Sequence, residues 1–117
     1  MGQAKQRLKY SSIFKGGEMS NIYKDAIDCW GEDLQMQMAI EEMAELIKAL
    51  IKWVRLGNNP DIHDKIIRRN DIINEIADVK IMMRQLEYMF GLDAVDNKII
   101  EKTQRLQNMI VKHRRGK

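Results

Sequence analysis

The sequence predicts an all-α protein, a bundle of four to five helices that completes its core by homo-oligomerisation. Three observations carry this. The chain holds a single proline in 117 residues, is 32% charged, and spaces its Ile, Leu and Met residues at helical intervals. Gly31, Gly57 and Gly91 stand at the ends of long periodic stretches. The two longest stretches are apolar over more than half their circumference, which a small monomer cannot cover, so a dimer or tetramer is expected.

Met1 to Glu18 is polar, basic and glycine-punctuated, with no sustained period, and reads as a flexible leader (1–18). Lys15-Gly16-Gly17-Glu18 stands directly before Met19 and can be encoded by a purine-rich run like a bacterial ribosome-binding sequence. Either Met19 is a start, or the leader is a plain extension. The helical domain is placed at 19–111. Ser20 suits the N-cap of a first helix through Ile22, Tyr23, Ala26, Ile27 and Trp30, which Gly31 interrupts. A central helix follows from about Asp33 to Leu56, and Gly57-Asn58-Asn59-Pro60 is a strong stop. A short helical piece is expected from Asp61, then a second long helix to Phe90, closed by Gly91. Asp93 is expected to cap a last helix through Val95, Ile99, Leu106 and Ile110, with a basic tail at 112–117.

Charge is unevenly spread. Eight of the 20 Lys and Arg residues lie in residues 1–18 and 110–117, with only one of the 17 acids, so the body between them is acidic despite a formal net charge of +3. Nucleic acid is therefore not an expected partner. Cys29 is the single cysteine, which excludes a disulfide framework and a cysteine metal site and suits a reducing cytoplasm. No stretch is apolar and long enough to cross a membrane. His63 and His113 do not stand in Glu-x-x-His, which argues against a di-iron bundle. A glycine-rich phosphate loop and a Ser or Cys nucleophile with its His are both lacking. Trp30 and Trp53 read as core rather than as stacking platforms, and the nine methionines as adaptable packing.

The chemistry is expected where carboxylates interrupt apolar helix faces. At about 100° per residue, Glu41 and Glu45 share a charged stripe with Lys48, Lys52 and Arg55, while Glu42 projects with Met38 and Ala49 on the apolar side. On the second long helix Glu75 shares its face with Val79, Met82 and Leu86, and Asp78 lies beside Met82 and Met89. Each helix thus offers an i, i+3 carboxylate pair, Glu42/Glu45 and Glu75/Asp78. Packed together, four anions need a counter-charge. Oxygen-only ligands select a hard cation, Mg²⁺ or Mn²⁺, over zinc.

Glu41-Glu42-x-x-Glu45 followed by Glu75-x-x-Asp78 resembles the EExxE…ExxD signature of the MazG-like all-α nucleoside triphosphate pyrophosphohydrolases, and the similarity spans roughly Ile22 to Ile110. The resemblance implies a MazG-like bundle that hydrolyses a (deoxy)nucleoside triphosphate to the monophosphate and pyrophosphate. It also implies Mg²⁺, replaceable by Mn²⁺, on Glu42, Glu45, Glu75 and Asp78. Glu41 would orient or deprotonate the attacking water or make supporting contacts. Lys98-x-x-x-Lys102-x-x-Arg105 is similar to the family's Lys-x-x-x-Asn-x-x-Arg segment and would contact substrate, with Lys102 standing where the family has Asn. The alternative is a non-catalytic helical interaction module whose acids form structural salt bridges.

Overall fold

The computed structural model of the protein describes residues 21–116, and among them it is all-helical, with no strand. The four helices are α1 (Asn21–Trp30), α2 (Glu32–Arg55), α3 (Ile62–Phe90) and α4 (Leu92–Arg115). The leader at 1–18, the Met19 start and the Ser20 cap lie outside the described residues. The chain falls into two compact units, Met1–Leu86 and Glu87–Lys117.

In the first unit, Gly31 both ends α1 and opens α2. Its N–H donates to the Ile27 carbonyl at 2.7 Å, and its own carbonyl accepts from Gln35 N–H at 3.1 Å. The residue can do both only at φ 88°, a conformation that costs glycine little. α1 turns Ile22, Tyr23, Ala26 and Ile27 inward as a half-buried stripe and contacts α2. Trp30, expected in the core, is instead 58% exposed: it continues that stripe, but as the last residue of α1. Glu32 and Asp33 occupy the first turn of α2, and Lys52 and Arg55 its last, each complementing the helix dipole. Gly57, at φ 74°, reverses the chain after α2, its N–H bonded to the Val54 carbonyl at 3.3 Å.

The sequence suggests a short helical piece from Asp61 before the second carboxylate helix. The structure has one uninterrupted helix of 29 residues, begun by the Asp61 carbonyl accepting from Lys65 N–H at 3.0 Å. Polar residues such as Asn70 and Asp71 lie within it and do not break it.

Three pairings show how α2 and α3 lie together. The Gln35 amide donates to the Gln85 carbonyl oxygen at 2.6 Å. Carboxylate oxygens of Glu42 and Asp78 lie within 4.8 Å of each other midway along. The Lys65 ammonium stands 5.9 Å from the Trp53 ring centroid near the turn. As residue numbers rise along α2 they fall along α3, so the two helices form an antiparallel hairpin. Ala39, Ala49 and Met82 are its buried apolar residues, and among the described residues no large side chain is fully buried. Two of the three are alanines, so the core is thin.

In the second unit Gly91, at φ 115°, accepts the Val95 N–H at 3.0 Å and so occupies the N-cap of α4. Asp93 was the expected cap. It lies inside the first turn instead, where its charge favours the dipole without capping. α4 runs through Lys112, His113, Arg114 and Arg115, and none of its residues is buried.

Gln35 and Gln85 are each at most 5% exposed, and each satisfies the other. Gln85→Leu alone strands the Gln35 amide and should cost about 1–3 kcal/mol, whereas Gln35→Leu with Gln85→Leu should recover most of that loss. Urea unfolding of the wild type, both single variants and the double variant measures the coupling. Additive losses would show that the pair does not fix the hairpin.

Candidate metal centre

The antiparallel register decides which carboxylates meet. Glu42 lies two helical turns beyond Gln35 on α2, and Asp78 lies two turns before Gln85 on α3. The Gln35–Gln85 contact therefore sets Glu42 across from Asp78, with Glu75 one turn further along α3. One carboxylate oxygen from each of Glu42, Glu75 and Asp78 lies within 4.8 Å of the others. All three side chains are half-buried. The apolar helix faces leave them no alternative, since Met82, beside them on α3, is buried and Val79 half-buried.

Burial pushes the Glu42 carboxyl above its ordinary pKa, and the Asp78 and Glu75 charges and a hydrogen bond with Asp78 push it the same way, with Glu45 adding a smaller part. Among the described residues, no Lys or Arg forms a salt bridge with Glu42, Glu75 or Asp78. The cluster is thus an uncompensated group of oxygen donors.

The donor set fits a hard divalent ion. Oxygens on opposite sides of Mg²⁺ stand about 4.2 Å apart, and of Ca²⁺ about 5 Å, so three carboxylate oxygens within 4.8 Å of one another could share one such cation. A cation there would supply the charge that the protein does not.

The other sequence-expected residues are placed differently. Glu45 is exposed and paired with Lys48 on its own helix at 3.5 Å, as its position on the charged stripe suggests. Its charge still reaches Glu42. Glu41 is exposed and points about 100° around the helix from Glu42. In the second unit, Lys98 donates to Glu101 at 3.2 Å, and Arg105 lies 3.7 Å from the same carboxylate. Lys102 is exposed. Glu101 thus holds the two bases on one side of α4. The sequence reading passed over the Gln35–Gln85 pair, although each glutamine stands seven residues from a cluster acid and so on the same helix face.

Glu42 also makes the apo protein sensitive to pH. Its raised pKa means that it binds a proton more tightly when folded than when unfolded. Its contribution is most favourable in acid and is lost as pH rises from the ordinary glutamate range through the raised value. In EDTA at neutral pH, Glu42→Gln should raise the thermal midpoint above wild type, with the gap closing as pH falls. A lower midpoint for Glu42→Gln at neutral pH would mean that a cation of the protein already balances this carboxylate.

Compared with known protein-family models, curated proteins and solved structures, the chain has no match.

Proposed function

We propose that this protein is a Mg²⁺-dependent nucleoside triphosphate pyrophosphohydrolase of MazG-like type. It would release pyrophosphate and a (deoxy)nucleoside monophosphate, acting in the cytoplasm as a homo-oligomer to clear or adjust a nucleotide pool. The observation that carries this reading is the meeting of Glu42, Glu75 and Asp78 within 4.8 Å at half-buried positions, with no salt-bridged Lys or Arg among the described residues.

In this reading Glu42, Glu75 and Asp78 hold the ion, and Glu45, one turn from Glu42, completes the set by leaving its surface pair with Lys48. That exchange costs little, because exposed ion pairs are worth at most about 1 kcal/mol. Mg²⁺, or Mn²⁺ in its place, supplies the positive charge that lets an acidic site accept a triphosphate and lowers the pKa of the attacking water. Glu41 lies outside the ligand set and acts at one remove, orienting the water or the ligands. Lys98 and Arg105 hold phosphate oxygens, exchanging Glu101 for substrate, and Lys102 stands beside them.

A second reading has its own support. Glu45, Lys98 and Arg105 all sit in exposed intrahelical ion pairs, which a non-catalytic helical interaction module would also contain. That reading leaves the Glu42, Glu75 and Asp78 cluster without a purpose.

Pyrophosphate release from the common nucleoside triphosphates in Mg²⁺ tests the proposal. Glu42→Gln, Glu75→Gln and Asp78→Asn should each lower turnover by on the order of a hundredfold while the protein stays folded, at least the scale of losing an outer support of a metal site. Glu45→Gln should follow them, and Glu41→Gln should fall less. Neutralising Lys98 or Arg105 should lower kcat/KM by roughly tenfold to a hundredfold, the worth of one charge-assisted contact. Lys102→Asn should improve turnover if position 102 faces substrate. No pyrophosphate from any nucleotide, or full turnover in all three cluster variants, would leave the interaction-module reading.

A further inference from the structure

α2 carries a second apolar face that is exposed along its length. Ile40, Ala44, Ile47, Ile51 and Val54 recur at alternating steps of four and three residues, the spacing of a helix–helix seam, over about 21 Å. On the helix wheel this seam points away from Gln35, Glu42 and Ala49, the residues turned toward α3. All five residues are exposed, Ile40 at 64%, Ile47 at 57% and Val54 at 74%. The inward face cannot make up for such exposure, since only Ala39, Ala49 and Met82 are buried apolar residues among those described. A domain of this size ordinarily hides about two thirds of its surface.

The charges along one edge of the seam show what covers it. Glu41 and Glu45 lie toward the start of α2, and Lys48, Lys52 and Arg55 toward its end. That order is complementary to its own reverse. When two copies of α2 run antiparallel about a two-fold axis, Glu41 meets Arg55, Glu45 meets Lys52, and Ile47 packs beside Ile51. Lys48 comes near the axis, where its own Glu45 at 3.5 Å shields it from its symmetry mate. A parallel pairing would instead set this charged edge against the partner's opposite edge, which carries Met43 and Leu50, so the charges would find no partner. Ala44 lets the two axes draw close.

We propose that the Ile40–Val54 face of α2 is the self-association surface of this protein, occupied by α2 of a second copy in antiparallel, two-fold register. The pairing is isologous, so it closes at two copies and leaves no open end. It assigns a surface and a symmetry to the homo-oligomer named above. It draws on Glu41 and Glu45, which the hydrolytic reading also uses, but its test reads mass without metal or nucleotide and so fails separately.

Sedimentation equilibrium of the full chain in EDTA, without nucleotide, tests it by a charge exchange. Lys52→Glu with Arg55→Glu makes the edge wholly acidic, and Glu41→Lys with Glu45→Lys makes it wholly basic. Wild type should sediment at twice the chain mass. Each double variant should weaken self-association by on the order of a hundredfold, because like charges then face each other. An equimolar mixture of the two variants should return to twice the chain mass. Ile47→Asp should be monomeric at unchanged helicity. A monomeric wild type would overturn the proposal. So would double variants that dimerise as wild type does, or a mixture that fails to recover.

Discussion

The antiparallel register of α2 against α3 is the constraint from which the rest follows. It is held by one buried amide pair, Gln35 with Gln85 at 2.6 Å, in a core otherwise supplied by two alanines and a methionine. Apolar contacts between helices tolerate sliding, whereas a buried amide does not, because a shift by one turn would leave both glutamines unsatisfied. With that pair fixed, the helical repeat carries Glu42 to Asp78 two turns on. The acidic cluster is thus a consequence of a polar contact some distance away. A hydrophobic seam with the same helices would leave the meeting of the carboxylates unspecified.

The same hairpin explains how repulsion is kept in the folded state. Three carboxylates with no salt-bridged base among the described residues oppose folding, and the Glu42 carboxyl is pushed up first by burial and then by the Asp78 and Glu75 charges. Buried Ala39 on α2 and Met82 on α3 stand one turn from Glu42 and Asp78, so the packing of the hairpin holds the acids together. In the proposed reading a cation relieves that repulsion, and a divalent ion does so more fully than a monovalent one. The charged stripe of Glu41, Glu45, Lys48, Lys52 and Arg55 needs no such relief. It is exposed, internally paired at Glu45, and balanced along its length.

Much of this was legible in the sequence, for reasons that differ by residue. Glu42, Glu75 and Asp78 betray themselves by falling on apolar faces, a pattern that the helical repeat exposes without any knowledge of tertiary contacts. Glu45 lies at the border of two faces, where an i, i+3 spacing argues for the cluster and the charged stripe argues for water. Its exposed pair with Lys48 follows the stripe. Gln35 and Gln85 were missed because a glutamine on an apolar face looks like an edge residue until its partner on the other helix is known. Asp93 resembled a cap by composition, but the positive φ of Gly91 started α4 before it. The unbroken α3 was obscured by its polar early turns, and Trp30 by the assumption that a large aromatic in a small domain is buried.

The central claim is that Glu42, Glu75 and Asp78 form a cation site, and thermal unfolding with and without metal tests it most directly. An ion that binds the folded protein alone stabilises it, by about 2.7 kcal/mol at a hundred times its dissociation constant. The account predicts that Mg²⁺ or Mn²⁺ raises the midpoint of the wild type well beyond the effect of equal ionic strength from a monovalent salt. The rise should vanish in Asp78→Asn and Glu75→Gln. A wild-type midpoint indifferent to both divalent ions, or an equal rise in wild type and variants, would contradict it.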